Sequence, residues 1–283
     1  KSNLGAFSLV NILDPASGSG KFTTTSSVRV SIHPQIAAKK WCLSEVQKES
    51  PSENTCAGGS GSDNGWASAR PTSYSFTAGD GAKTLYVWWQ EGKKIKGENR
   101  QIVLDTQGPK VQIQGPQLPQ SQPLSFVSGK NSINLNAQIS DLASGVKSIE
   151  CRKNNKAFKP CTFPLRLDNL PAQVHSFETR VTDHAGNVTI QPYVWSIDQT
   201  QPDVLVVSGP STPSIDSTAR FQFSDNNTGA IGYRCSLDGK NYISCPVNWQ
   251  TSVAPRSHEV RVVSVDAAGN ITRHIACQCV APS

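Results

Sequence analysis

The most informative segment of this 283-residue chain is HEVRVVSVDAAGNIT, residues 258–272. A closely similar stretch, HSFETRVTDHAGNVT, occupies residues 175–189, 83 positions earlier. In both, apolar and polar residues largely alternate up to an Asp, and Gly-Asn then leads into a second β-branched run. Alternation with period two predicts strands with one buried face, and Gly-Asn between strands predicts a hairpin turn. A motif that returns after a domain-sized interval indicates a repeated fold.

Two further features repeat at nearly the same interval. IECRKNNKAFKPC (149–161) matches YRCSLDGKNYISC (233–245), with nine residues between the cysteines in each. The segment DTQGPKV (105–111) matches DQTQPDV (198–204), which predicts a more divergent unit at the start of the chain. We therefore expect three units, at about 1–107, 108–200 and 201–283.

The fold class follows from strand periodicity and punctuation. Ile133, Leu135, Ala137 and Ile139 alternate with polar residues, whereas no window shows an apolar stripe at helical spacing. Eighteen prolines and 21 glycines interrupt the runs at short intervals. This pattern predicts an all-β chain of three tandem immunoglobulin-like antiparallel β-sandwich domains arranged end to end, with about seven strands in each.

The repeated DxAGN motif has two interpretations. In the first it is only a hairpin turn, in which Gly269 and Asn270 take positive φ and Asp266 accepts backbone N–H groups. In the second, oxygen ligands near DHAGN (183–187) and SDLASG (140–145) bind calcium. Calcium takes six to eight oxygens, and no loop has the carboxylate spacing of an EF-hand. We therefore favour the turn and expect no metal ion or cofactor.

Eight cysteines point to disulfides rather than metal sites. A two-residue turn at Asp238-Gly239 would place Cys235 opposite Tyr242, whereas a three-residue loop would place it opposite Cys245, and the sequence leaves both open. Cys277 and Cys279 could bridge each other, pair with another chain or form a CxC metal site. Structural disulfides imply export from the cytosol. The pairs expected from corresponding positions in the repeat are Cys151–Cys161, Cys235–Cys245 and Cys42–Cys56, the last with a spacing four residues wider.

The charge is mildly basic and spread out. The net charge of +6 divides into +3, +3 and 0 over the three units. Basic clusters lie at 93–96 and 152–159. We interpret them as solvated surface rather than as binding sites for an anionic cell envelope or glycan. No nucleic-acid-binding motif and no apolar run long enough to span a membrane occurs. A start at Lys1 is compatible with a lipid anchor just upstream.

No pattern for catalysis emerges. The chain contains no GxSxG, HExxH, Walker or dinucleotide-binding motif in a fitting context. His175 and His258 are repeat equivalents at the start of a strand, which indicates a structural role. We therefore expect a protein that is not an enzyme.

The first unit differs most and carries the candidate ligand site. It holds four of the six tryptophans and an enlarged Gly- and Ser-rich insertion between Cys42 and Thr77. Trp88 and Trp89 are adjacent, so one is predicted to face the core and the other to be exposed or covered by the insertion. An exposed indole among amides and a carboxylate could bind a sugar ring or a protein, although the simpler interpretation is that Trp66 folds back over the sandwich end. The candidate ligand residues are Trp66, Asp63, Asn64, Arg70 and Trp89.

The repeated pattern SD…SG…EC(x)₉C…HxFxxRVTDxAGN, with linkers of the form DxTxPxV, resembles bacterial Ig-like repeats of cell-surface and secreted proteins. Members of that group serve as stalks, adhesins and spacers, so the resemblance implies a non-enzymatic binding rod whose partner is a cell-envelope protein or glycan. It also implies an extracellular, surface or periplasmic location. Two alternatives remain: a carbohydrate-binding accessory array of a larger secreted enzyme, and a structural spacer without a ligand.

Overall fold

A computed structural model describes residues 8–52, 56, 65–115, 126–211, 216–225, 229–254 and 256–279. Within these ranges the chain is all-β, and its 22 strands form six sheets. No sheet combines strands from more than one of the groups β1–β7, β8–β15 and β16–β22. We call these groups the first, second and third sandwich. The predicted fold class, tandem immunoglobulin-like sandwiches, is confirmed.

The first sandwich packs a sheet of order β1-β3-β5 against one of order β2-β7-β6-β4. Its core holds Trp41, Tyr74, Leu85 and Trp89, all at most 2 % exposed. The long hairpin of β6 and β7 pairs eleven residues from each strand. Its strands are β1 Val10–Leu13, β2 Phe22–Thr23, β3 Ser27–Ile32, β4 Lys40–Ser44, β5 Ser73–Ser75, β6 Gly81–Glu91 and β7 Lys94–Leu104.

The second sandwich has sheets of order β13-β10-β8 and β12-β11-β14-β15-β9. The predicted alternation is realised, because Phe177, Thr179 and Val181 of β14 are buried and the residues between them are not. Its strands are β8 Lys110–Gln114, β9 Phe126–Ser128, β10 Ile133–Ser140, β11 Val146–Lys153, β12 Lys159–Pro160, β13 Leu165–Leu167, β14 Val174–Asp183 and β15 Val188–Ile197.

The third sandwich has sheets of order β16-β17-β20 and β19-β18-β21-β22. Its core contains Phe221, Phe223, Val260 and Val262 beside the Cys235–Cys245 bridge. Its strands are β16 Leu205–Ser208, β17 Thr218–Ser224, β18 Ala230–Leu237, β19 Ile243–Cys245, β20 Asn248–Ser252, β21 His258–Asp266 and β22 Ile271–Cys279.

Not every pair of strands is antiparallel. Two short parallel pairs, β2 with β7 and β9 with β15, add a strand at the edge of a sheet. Each involves three or fewer paired residues, so the antiparallel prediction holds for the bulk of each sheet and fails at these edges.

Four disulfides are present. The three pairs predicted from corresponding positions in the repeat, Cys42–Cys56, Cys151–Cys161 and Cys235–Cys245, are formed. Cys277 and Cys279 bridge each other, which selects one of the three options left open. The first three bridges tie a strand to the segment that follows it.

The register of the hairpin around Cys235 differs from both options. Asp238 and Gly239 have positive φ, and the N–H of Lys240 donates to the carbonyl of Leu237, so the turn has two central residues. The ladder nevertheless places Cys235 opposite Ile243 rather than Tyr242. The one-residue shift arises between the turn and β19, where the Ser236 hydroxyl donates to the carbonyl of Lys240 at 2.6 Å.

The DAAGN segment is a hairpin turn between β21 and β22, as predicted. The Asp266 carboxylate accepts the N–H of Asn270 at 2.8 Å, and Gly269 has a φ of +83°. Asn270, in contrast to the expectation, is not among the residues with positive φ. An asparagine recurs at this position of the repeat because its side-chain amide binds the linker.

Candidate functional site

The linker between the first and second sandwich is bound by the amide of Asn187. The side-chain nitrogen donates to the carbonyls of Asp105 at 2.9 Å and of Gln107 at 3.2 Å. It also donates to the Asp183 carboxylate at 2.9 Å, which orients the amide. The DHAGN turn of the second sandwich thereby holds the segment that leaves the first.

The same arrangement recurs at the next linker. The side-chain nitrogen of Asn270 donates to the carbonyls of Asp198 at 2.8 Å and Thr200 at 3.1 Å, and to the Asp266 carboxylate at 2.9 Å. The N–H of Gly129 in the second sandwich also donates to the carbonyl of Ala268 at 3.0 Å. The DxAGN motif is therefore a joint between sandwiches as well as a turn.

Two more contacts reinforce the first joint. The Phe22 ring of β2 stacks on the His184 imidazole, with 5.6 Å between ring centroids and 21° between planes. The Asp80 carboxylate accepts the N–H and the hydroxyl of Thr106 in the linker. The linker is thus held by side chains from both sandwiches.

Three carboxylates, those of Asp105, Asp141 and Asp183, meet at this joint. Their oxygens lie within 4.8 Å of one another, and Asp105 and Asp183 are at most 1 % exposed. Backbone N–H groups stabilise these negative charges. The N–H of Ser144 donates to both Asp105 and Asp141, and the N–H of Gly186 donates to Asp183 at 2.6 Å. A cavity of about 280 Å³ adjoins Asp105 and Asp141.

The cluster is the part of the described chain where a hard cation could be held. The sequence pointed to oxygen ligands near 140–145 and 183–187, but it did not indicate that Asp105 would join them. Three carboxylates are fewer than the six to eight oxygens that calcium takes, so carbonyls or water would have to complete the shell. Each carboxylate already accepts backbone N–H groups, which is the role predicted for a turn Asp.

The insertion of the first sandwich is anchored to the sheet. The Trp66 indole N–H donates to the carbonyl of Ser52 at 2.9 Å, and the side chain is half-buried. The Arg70 guanidinium donates to the carbonyls of Ile32 and His33 and lies 5.7 Å from the centroid of the Trp41 ring. Both side chains therefore stabilise the loop, and each keeps part of its surface open to solvent.

The structure shows which of Trp88 and Trp89 faces the core, and it contradicts the prediction that Trp89 is a ligand residue. Trp89 is 2 % exposed and belongs to the core, so it does not contribute to a surface site. Trp88 is the outer member, and its indole N–H donates to the carbonyl of Gln47 in the insertion at 2.9 Å. Sequence alternation could not tell which of the two faced inward. Asp63 and Asn64 lie outside the described residues.

The two repeat-equivalent histidines are structural. Nε2 of His175 lies 3.0 Å from the carbonyl of Pro171, and Nε2 of His258 lies 2.9 Å from that of Ala254. The His175 ring also stacks on Trp195, with 5.1 Å between centroids. Each histidine joins the start of its strand to the preceding loop.

The second sandwich carries a neutralised outer face. Arg152 pairs with Glu178 and Arg180 pairs with Glu150, crosswise between β11 and β14. Both guanidinium groups lie over the Phe158 ring, at 4.5 and 4.2 Å from its centroid. The basic cluster predicted at 152–159 is in part an ion-pair network, consistent with a solvated surface.

Comparisons with known proteins identify no family. No protein-family model matches the chain, and no curated protein sequence matches it. Among solved structures, fibronectin(III)-like modules of CbhA from Clostridium thermocellum are 16 % identical, with a TM-score of 0.40, over 59 % of this chain and 91 % of theirs. A structure of domains from titin is 10 % identical, with a TM-score of 0.39, over 94 % of this chain and 97 % of its own.

A third solved structure is that of SGBP-B from Bacteroides ovatus in complex with a mixed-linkage heptasaccharide. It is 15 % identical, with a TM-score of 0.25, over 62 % of this chain and 48 % of its own. Likenesses this distant carry no argument about function. In the described residues, no helix has the length and apolar character needed to cross a membrane.

Proposed function

We propose that the chain is a non-enzymatic binding rod of an exported, cell-surface or secreted protein, and that its first sandwich contacts a protein or glycan of a cell envelope. The observation that carries the proposal is the repeated joint. Asn187 and Asn270 each bind two carbonyls of the linker that precedes their sandwich. A linker held in this way restricts rotation between neighbours, which suits a protein that presents a binding surface at a distance.

Export is supported by the four disulfides, because such bridges persist in oxidising compartments. The sequence separations of 14, 10 and 10 residues in the first three bridges correspond to short loops, which stabilise small domains. Stable small domains in tandem are a common composition for proteins that work outside the cell.

The ligand contact is assigned to the first sandwich because its insertion is both distinctive and anchored. The Cys42–Cys56 bridge ties the loop to β4, and the hydrogen bond from Trp66 to Ser52 joins two parts of the loop. A half-buried indole on such a loop presents a rigid aromatic surface at low entropic cost. The exposed Arg70 lies on the same segment, three residues beyond the Trp41–Ala67 bridge.

The test is a binding screen of the whole chain against arrayed glycans and envelope proteins, with Trp66→Ala as the site variant. Phe158→Ala on the second sandwich serves as the matched aromatic control, and thermal melts show that both variants are folded. We expect Trp66→Ala to lose binding by about tenfold or more, which corresponds to removal of one aromatic contact, and Phe158→Ala to keep it. Full binding by Trp66→Ala rules out the Trp66 surface as the ligand contact, and binding by neither variant nor wild type favours the spacer.

A further inference from the structure

The outer face of the larger sheet in the third sandwich carries three arginines around one valine. Arg234 of β18 lies opposite Val263 of β21, and Arg273 of β22 lies opposite the same valine on the other side. Neighbouring strands are about 4.8 Å apart, so the two arginine Cα atoms are roughly 10 Å apart. Arg261 precedes Val263 by two residues and therefore shares its face.

Two of these arginines have no compensating charge. Arg261 pairs with Glu259 on its own strand. Arg234 and Arg273 are exposed, and within the described residues neither guanidinium has an ion-pair or hydrogen-bond partner. The other acidic residues of the unit lie in turns or at strand ends: Asp203, Asp216, Asp225, Asp238 and Asp266.

The second sandwich shows what a neutral version of this face looks like. At the positions equivalent to Arg234 and Arg261 it carries Glu150 and Glu178, which pair crosswise with Arg180 and Arg152. The third sandwich replaces both acids with arginine and so collects positive charge. An anionic ligand would compensate the positive charge of this face.

The surroundings are open rather than enclosed. A Cβ added at Gly232, two residues before Arg234, would meet no atom within 4 Å. Ser244, opposite Arg234 on β19, is small and exposed. A small anion on so open a face would remain largely hydrated, whereas a polymer could contact several guanidinium groups at once and gain from the multiple contacts.

We propose that the outer face formed by Arg234, Arg261 and Arg273 binds a linear polysaccharide bearing sulfate or carboxylate groups. The planar guanidinium donates two parallel hydrogen bonds to such groups. An extended acidic peptide is the weaker fit, because peptides that add to sheets use a free backbone edge and two of these arginines lie on strands within the sheet. This site is independent of the ligand contact proposed for the first sandwich.

The experiment measures binding of the full chain to immobilised heparin at physiological salt, with dextran as the neutral control. The site variant is Arg234→Gln with Arg273→Gln. The matched control is Arg220→Gln with Arg256→Gln, which removes the same charge from the same sandwich. We expect the site variant to bind at least about tenfold more weakly and the control to stay within about twofold, since only the site variant loses charged hydrogen bonds to the polysaccharide.

Two additions separate a binding role from a structural one. The site variant should melt at the same temperature as the wild type or higher, because it removes repulsion; a lower melting temperature would indicate a structural role. Trp66→Ala should leave heparin binding unchanged, so failure of this proposal and failure of the proposed function can be told apart. Any of three results would overturn the proposal. These are an equal loss of heparin binding in both double arginine variants, no heparin binding by the wild type, and preferential binding of polyglutamate or anionic phospholipid vesicles.

Discussion

The side-chain amide of Asn187 donates to the main-chain carbonyl of Asp105, 82 residues earlier in the chain, at 2.9 Å. The carboxylate of the same Asp105 lies against those of Asp141 and Asp183. One residue of the first linker therefore takes part in both the amide joint and the carboxylate cluster. Because the amide bond is repeated at Asn270, the chain joins its sandwiches by the same means twice.

Loss of the joint amides should loosen the connection between sandwiches. Asn187→Ala and Asn270→Ala each remove three hydrogen bonds, and we expect each to lower the free energy of unfolding by about 1–3 kcal/mol. Small-angle scattering should show a broader distribution of particle dimensions for the double variant. Asn134→Ala, on the exposed face of β10, is the control and should change neither quantity. An unaltered scattering profile for the double variant would refute the joint.

Gly97 of the first sandwich lies under the Trp88 ring. A Cβ at Gly97 would come within 2.2 Å of Trp88 Cε3, so Gly97→Ala should force the ring out of place and destabilise the protein by about 1–3 kcal/mol. Gly232→Ala meets open space and is the matched control, expected to be neutral or slightly stabilising. Denaturant unfolding followed by tryptophan fluorescence distinguishes the two. Similar midpoints for both variants would contradict the packing described.

Asp14 gives a pH dependence with a defined sign. Burial alone would raise the pKa of its carboxyl, but hydrogen bonds from Ser17, Thr23 and Ala16 outweigh burial and hold the pKa below its ordinary value of 3.8. A group whose pKa is lowered on folding contributes stability that is present above its unfolded pKa and is lost as pH falls through the folded pKa.

The stability advantage of wild type over Asp14→Asn should therefore be full near pH 7 and shrink below about pH 4. Chemical denaturation at pH 7, 5 and 3 measures the difference. Asp168→Asn, an exposed carboxylate paired with Arg166, is the control and should differ little from wild type at any pH. A constant advantage of wild type over Asp14→Asn across the three pH values would count against this account.

Substitutions of two carboxylates of the cluster should lower stability by different amounts when a chelator is present. Asp183→Asn replaces an acceptor of two backbone N–H groups and should destabilise by about 1–3 kcal/mol. Asp141→Asn also replaces an acceptor of two backbone N–H groups, but Asp141 is half-buried whereas Asp183 is fully buried, so the loss should be smaller. Thermal melts in EDTA measure both, and a larger loss for Asp141→Asn would contradict this order. Repeating the melts in calcium chloride tests for ion uptake, which would raise the melting temperature of the wild type but not of Asp141→Asn.

The strands, the repeated turn and three of the disulfides follow from the amino-acid sequence alone. Period-two alternation, the Gly-Asn pair and matched cysteine spacing are local properties, and local sterics and burial act on them in the same way in every copy. The first-sandwich insertion was also predictable, because it interrupts the repeat, whereas the sequence left open whether the outer tryptophan is exposed or covered by the insertion.

The face that each residue occupies, and the contacts between distant residues, depend on how the sheets and sandwiches pack. Alternation places Trp88 and Trp89 on opposite faces but does not say which is inside, since a shift of one residue exchanges the two. Strand register likewise places Cys235 opposite Ile243, and not opposite Tyr242 or Cys245 as the two sequence-based options had it. Asp105 joins Asp183 through a contact between two sandwiches, and Arg234 meets Arg273 through cross-strand register; neither spacing follows from any local rule.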